Sequence, residues 1–161
     1  KEFSNQLKEM DRRINSLNIH DEDALIAIIE RLNEKIEQEV LDEKRSYFKK
    51  YLLHTLMEST NKSNFDERRF FLDVLADMTL LEIELMVFLY TKNQPVLVGT
   101  ITKTGVDQSV IVGTVGRLKN YGFITAITKS ISIGGSVSNA LNEAISLTYF
   151  GRRFYEFCIA D

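Results

Sequence analysis

Residues 107–128 read DQSVIVGTVGRLKNYGFITAIT, a helical pattern that passes directly into a strand pattern. Asp107 is a favoured N-cap residue, and Gly122 can take the left-handed conformation that ends a helix. Between them the apolar residues fall on one helical face, which comprises Val110, Ile111, Val115 and Leu118. Residues 123–129 alternate like a half-buried strand. The segment therefore predicts a helix that starts at Gln108, with a strand directly after it.

The residues upstream of this segment predict another helix and one ambiguous element. Thr79-Leu-Leu-Glu82 has the spacing of a capping box, so a helix is expected from there to about Lys92. Residues 96–103 follow Pro95, which suits the first turn of a short helix. The same residues are rich in β-branched side chains, which favour a strand. We expect a short helix here, with a strand as the open alternative.

The residues downstream predict a hairpin and a last helix. Residues 130–143 are small and polar and include Gly134-Gly135, which suits a long hairpin tip. Residues 144–147 then form a short return strand. Thr148 is placed to cap a helix over residues 149–160, whose apolar face comprises Phe150, Phe154, Phe157 and Cys158.

Two stretches of this C-terminal half resemble bacterial winged-helix regulators. The stretch Val110…Leu118-Lys-Asn-Tyr-Gly122-Phe-Ile124 resembles their recognition helix, glycine stop and first wing strand. The stretch Leu147-Thr-Tyr-Phe-Gly151-Arg-Arg resembles the end of their second wing strand and the start of the next helix. The resemblance covers about half of the chain and points to no specific family within the group. It implies a winged helix-turn-helix domain, and a fold carries no function by itself.

The N-terminal half is of a different character. All eight glycines and the single proline lie at or beyond Pro95, so the earlier residues should be helical wherever they are ordered. Nothing clearly stops a long helix before Ser59, although it could bend near residues 41–43. A seam of apolar residues runs along this half, beginning with two heptads of coiled-coil spacing. It comprises Phe3, Leu7, Met10, Ile14, Leu17, Leu25, Ile29, Leu32 and Ile36.

The seam has two interpretations, which the sequence leaves open. The segments could form a helical hairpin that packs on its own chain, or the seam could be the interface of a homodimer, since a thin rod cannot bury an apolar stripe alone. The predicted fold class is accordingly mainly α with a small β-wing. A helical arm spans residues 1–65, and a winged-helix-like domain with its docking helix spans residues 66–161.

The composition argues against an enzyme. The 161 residues hold one Cys and two His, which form no metal-ligand spacing, and no nucleophile or phosphate-binding motif occurs. We therefore expect no catalytic residue, no metal and no cofactor, and we interpret Cys158 as a buried structural thiol. No apolar run is long enough to span a membrane, and no signal peptide is visible. A cytoplasmic location is expected. The chain begins at Lys1 rather than Met, so the sequence leaves open whether a targeting or membrane segment precedes it.

The charge balance bears on whether the partner is a nucleic acid or a protein. From Thr79 onward the chain carries seven Lys and Arg against six Asp and Glu, whereas DNA-binding domains usually show a clear basic face. The candidate partner or nucleic-acid face comprises Ser109, Gly113, Gly116, Arg117, Lys119, Asn120 and Lys129. Two of these residues are glycines, which cost a helix about 1 kcal/mol each relative to Ala. Such a surface either lets another backbone approach closely or simply tolerates the glycines.

The sequence thus predicts a non-enzymatic assembly or adaptor protein. Its winged-helix-like module would contact an unknown protein partner, and its helical arm would form a homodimer. The alternative is a DNA-binding transcriptional regulator of the winged helix-turn-helix type, which the resemblance favours and the charge balance opposes.

Overall fold

The fold is mainly helical, as expected, and it contains a small three-stranded antiparallel sheet. It is given by a computed structural model that describes residues 19–129, 133 and 139–161. The helices are α1 (Glu22–Gln38), α2 (Asp42–Met57), α3 (Phe65–Asp77), α4 (Leu80–Tyr90), α5 (Gln108–Asn120) and α6 (Tyr149–Cys158). The strands are β1 (Val96–Leu97), β2 (Ile124–Thr128) and β3 (Glu143–Leu147).

The chain divides into two compact units. Of the described residues, 19–77 and 157–161 form the first, which we call the helical unit, and 78–156 form the second, the sheet unit. The division lies after Asp77, whereas the sequence suggested a boundary after residue 65. Helix α3 accordingly lies in the helical unit.

The long N-terminal helix expected from the sequence is broken. Helix α1 ends at Gln38 and α2 begins at Asp42, with Glu39 and Leu41 both extended. The Glu39 carboxylate accepts a hydrogen bond from the Leu41 N–H at 2.9 Å and pairs with Lys44 at 3.2 Å. Such side-chain bonds to nearby backbone compete with the helix, which explains a break in a stretch without glycine or proline.

Helix α1 packs against α2 and α3 within the helical unit. Its buried residues are Ala24, Ile28 and Leu32, so the part of the arm that the structure describes packs on its own chain. Of the predicted seam, Leu32 lies in this core, whereas Leu25, Ile29 and Ile36 are only half-buried. The first five seam residues, Phe3 to Leu17, lie outside the described residues. A dimer along the seam stays a prediction.

The last residues of the chain complete the core of the helical unit. The Phe157 ring meets Tyr51 edge to face at 5.3 Å, and the Arg68 guanidinium lies over the same ring at 4.3 Å. His54 Nδ1 donates to the Phe157 carbonyl at 2.7 Å. Cys158 is fully buried, and this burial raises the pKa of its thiol well above the ordinary value. The expectation of a buried thiol is confirmed.

The helix caps and the glycine turn that the sequence predicted in the sheet unit are present. Both halves of the Thr79–Glu82 capping box are present at the start of α4. The Asp107 carboxylate accepts from the Ser109 N–H at 2.7 Å at the start of α5, and Gly122 has a φ of +80° just beyond its end. The ambiguous segment is divided: Val96–Leu97 is a strand, and Val98–Thr100 is a single 3-10 turn. The expected short helix is therefore wrong except for that turn.

The sheet has the strand order β1-β3-β2, and all neighbours are antiparallel. Ile145 lies at its centre and pairs with Val96 on one side and Ala126 on the other. Most residues of the expected hairpin tip, 130–132 and 134–138, lie outside the described residues. Helix α5 packs against β2 and α4, which places its Leu118 in the core.

Helix α6 starts against the turn between α5 and β2. Thr148 donates through its N–H to the Phe123 carbonyl at 2.9 Å and through its hydroxyl to the Gly122 carbonyl at 2.7 Å. The same hydroxyl accepts from the Gly151 N–H at 2.9 Å, which confirms the cap expected at this residue. The Phe123 ring stacks on Phe154 at 4.4 Å. This close docking brings the Gly151 backbone against the backbone of Phe123.

Candidate interaction face on helix α5

Helix α5 presents the predicted face to solvent. Ser109, Gly113, Arg117 and Asn120 are exposed, and Gly116 and Lys119 are half-buried. Lys129, also exposed, follows β2 rather than lying on the helix. The opposite side of α5 is buried through Ile111, Thr114, Val115 and Leu118.

One apolar residue of this face was missed by the sequence analysis. Val110 is 49% exposed, although the periodicity assigned it to the buried side. Thr114 is buried in its place, and its hydroxyl donates to the Val110 carbonyl at 2.8 Å, which satisfies it without a tertiary partner. Val110 lies one turn before Gly113, so it adds an apolar contact point beside the glycine.

The two glycines of α5 have open space around them. A Cβ built on Gly113 or Gly116 meets no atom within 4 Å. Neither residue has the positive φ that would require glycine. Among the described residues, neither packing nor backbone conformation therefore explains why glycine occupies these positions.

Replacing these glycines should strengthen the fold. We expect Gly113→Ala and Gly116→Ala each to raise the free energy of unfolding by about 1 kcal/mol, since Ala restricts the unfolded chain and fits the helix. Urea denaturation followed by circular dichroism would measure the change. A loss of stability in either variant would contradict the open surroundings of the two residues.

The two cations of α5 are already engaged. Arg117 Nη1 lies 3.1 Å from Glu82 Oε1, and its Nη2 donates to the Tyr121 hydroxyl at 2.6 Å. Lys119 forms an ion pair with Glu143 at the start of β3. The Glu82 side chain is only 2% exposed and also serves the capping box of α4. Because each of these two cations has a carboxylate partner, the surface of α5 is nearly neutral despite its basic residues.

Sequence reasoning could not find these acidic partners. Glu82 was identified as a capping residue, but its ion pair joins residues on different helices. Glu143 was assigned to the polar hairpin tip, and its pairing with Lys119 depends on the register of β3 beside β2. No spacing in the sequence signals either contact.

An apolar groove of about 410 Å³ lies beside this face in the sheet unit. It is lined by Leu81, Leu85 and Phe88 of α4, by residues 100–103, and by Ile111 and Thr114 of α5. Glu84 and Lys103 form an ion pair among its lining residues. Thr100, the last residue of the 3-10 turn, contributes to the wall of the groove.

The described residues contain no arrangement typical of a metal site. No group of three or more His, Cys, Asp or Glu side chains among them could hold a metal ion. His20 accepts from the Thr60 N–H through Nδ1 at 3.0 Å, while its Nε2 lies 3.1 Å from the Leu56 carbonyl oxygen. Both ring nitrogens of His20 thus serve the fold. None of the helices in the described ranges combines the length and apolar character that crossing a membrane requires.

Comparisons of the chain with protein-family models, with curated proteins and with solved structures gave no match.

Proposed function

We propose that the sheet unit is a winged-helix-type domain. Its order of elements is α4, β1, a 3-10 turn, α5, β2, β3 and α6, which corresponds to helix, short element, helix and wing. The strand order β1-β3-β2 supports this assignment, because it places the two long strands side by side as a hairpin directly after α5. In such a domain α5 takes the place of the recognition helix.

We propose that this domain serves as a non-enzymatic assembly or adaptor module that contacts another protein through α5. The observation that carries the proposal is the bare and nearly neutral surface of this helix. Gly113 and Gly116 leave room for close approach of a partner backbone, and Val110 offers an apolar contact. Protein interfaces commonly combine an apolar centre with few free charges.

The helical arm supplies the dimerisation part of this proposal. Helix α1 buries one side in its own unit and leaves Leu25, Ile29 and Ile36 half-buried along the adjacent stripe. A second copy of α1 related by a two-fold axis would cover this stripe. Ile29→Glu in the full chain should halve the mass measured by sedimentation equilibrium. Ala27→Glu, at an exposed position on the opposite side of the same helix, should leave the mass unchanged.

The main competitor is a DNA-binding regulator, which the position of α5 in the fold favours. The wild-type protein is expected to bind mixed-sequence duplex weakly even at low salt, because Arg117 and Lys119 are held by carboxylates. Glu143→Gln removes the carboxylate that pairs with Lys119. The affinity for DNA should then rise at low salt, and its salt dependence should increase by about one phosphate contact. Fluorescence anisotropy over a salt series measures both.

Tight, steeply salt-dependent binding by the wild type, weakened by Arg117→Ala, would favour the regulator and overturn the adaptor. For the protein contact, Gly113→Leu fills the open space on α5 and should abolish capture of a partner by the immobilised chain. Lys49→Leu, at an exposed helical position in the helical unit, is the control for an added surface leucine. A partner retained equally by both variants would show that α5 is not the contact face.

A further inference from the structure

Strand β2 lies at an edge of the sheet, and its residues alternate between bonding to β3 and facing away from it. The Phe123 carbonyl accepts from the Thr148 N–H, and the Lys129 N–H donates to the Asn142 carbonyl. In an antiparallel ladder only alternate residues bond to the neighbouring strand, so residues 125 and 127 also face β3. The N–H and C=O groups of Ile124, Ala126 and Thr128 therefore point away from the sheet.

Within the part of the chain that the structure describes, this edge lacks the usual protection against strand pairing. Natural proteins block free edges with lysines, prolines, bulges or covering elements. Residues 123–128 contain no charge and no proline, and β2 pairs with β3 in continuous register without a bulge. Among the residues that the structure describes, none donates to or accepts from the outward backbone groups of Ile124, Ala126 and Thr128.

The side chains on the solvent-exposed face of β2 are also unusual. Ile127 is 59% exposed and Thr125 is exposed beside it on the same face. Both are β-branched residues, which strands favour. The edge thus combines free backbone donors and acceptors with side chains that gain from burial beside another strand.

We propose that β2 pairs antiparallel with β2 of a second copy of this chain, about a two-fold axis at Ala126. This axis places Ala126 opposite its own counterpart and Ile124 opposite Thr128, so that all three outward-facing residues form hydrogen-bonded pairs. Thr125 of one copy then faces Ile127 of the other. Every pair within the strand is uncharged, and the two Lys129 residues lie at opposite ends of the joint ladder.

A second copy fits this edge better than an unrelated strand for two reasons. The residues with outward-facing backbone groups, Ile124 and Thr128, lie two positions on either side of Ala126. A two-fold axis at Ala126 therefore pairs every outward N–H of one copy with a C=O of the other. Like charges opposite each other destabilise a ladder, and this register creates none. The interface is separate from α5 and from the α1 seam, so it goes beyond the proposed function and does not depend on it.

Charge-swapped variants of the full chain test this register. Thr125→Lys with Ile127→Lys places Lys opposite Lys twice across the axis, and both side chains are exposed, so the fold should tolerate them. Thr125→Lys with Ile127→Glu places Lys opposite Glu twice. Sedimentation equilibrium over a range of concentrations should show half the wild-type mass for the first variant and the wild-type mass for the second.

The remaining outcomes are equally decisive. Asn93→Lys with Gln94→Lys adds the same charge in an exposed loop and should keep the wild-type mass. The pairing is overturned if the Lys/Lys variant keeps the wild-type mass. It is also overturned if the Lys/Glu variant stays as small as the Lys/Lys variant, or if the wild type is monomeric throughout. In the Ile29→Glu background the arm interface is absent, so a halving of the mass there reports on β2 pairing alone and keeps the two proposals separate.

Discussion

Gly151→Ala is expected to lower the free energy of unfolding by about 3 kcal/mol or more, and to lower the midpoint of thermal unfolding by about 6–12 °C. The added Cβ would overlap the carbonyl oxygen of Phe123 and would stand 2.9 Å from its carbonyl carbon. Both contacts are to backbone, so no side chain can rotate away to relieve them. Relief requires a shift of helix α6 or of the backbone at Phe123.

Such a shift would disturb several contacts together. The Phe123 carbonyl accepts from the Thr148 N–H, and the Phe123 ring stacks on Phe154 in the core. Moving α6 outward weakens both, because packed interiors do not deform continuously. Differential scanning calorimetry of the purified variant measures the loss.

Gly113→Ala is the matched control, since it makes the same chemical change in open space. Opposite signs are expected for the two variants: a gain for Gly113→Ala and a large loss for Gly151→Ala. A Gly151→Ala protein as stable as wild type would mean that α6 does not dock as closely as described.

Lys44→Met is expected to lower the free energy of unfolding by about 3 kcal/mol at neutral pH. Lys44 is 6% exposed; its ammonium donates to the Ala76 carbonyl at 2.6 Å and pairs with Glu39 at 3.2 Å. Removing it leaves the largely buried Glu39 carboxylate without a counter-charge. The change also removes a hydrogen-bond donor to a carbonyl in the last turn of α3.

The pH dependence of this loss has a definite sign. Burial alone would raise the pKa of Glu39, but hydrogen bonds from the Leu41 N–H and Lys44, with the Lys44 charge, hold it below its ordinary 4.5. In the wild type, ionised Glu39 therefore stabilises the fold above pH 4.5, and this contribution is lost as the pH falls through the lowered pKa. Without Lys44, burial has a larger influence on the pKa of Glu39 and favours its neutral form. Protonation of Glu39 at low pH should therefore restore part of the stability that Lys44→Met loses. The difference in stability between wild type and Lys44→Met should shrink as the pH falls below about 4.5.

Urea denaturation of both proteins between pH 3.5 and pH 7 checks this trend. The double variant Glu39→Gln with Lys44→Met should be less destabilised at neutral pH than Lys44→Met alone, since no buried charge is left unpaired. An equal loss for the single and double variants would show that Lys44 acts through the Ala76 carbonyl rather than through Glu39.

Much of the fold could be predicted because its signals are local. The capping box at Thr79, the cap at Asp107, the positive φ of Gly122 and the cap at Thr148 each depend on residues within four positions of one another. Capping and turn preferences act over that range. Strand β2 followed from simple alternation, and the exposure of Gly113 on α5 followed from helical periodicity.

By itself, then, the sequence determined the start and end of most helices and strands of the sheet unit, and which side of α5 carries the glycines, because these depend on short-range backbone chemistry. Only the tertiary structure decided the rest: the pairing of Arg117 with Glu82, the pairing of Lys119 with Glu143 and, among the described strands, the place of β2 at the edge of the sheet. Each of these depends on residues that the chain brings together from different elements, and on the strand register that leaves alternate backbone groups facing outward. Helical periodicity and residue propensity carry no information about such contacts.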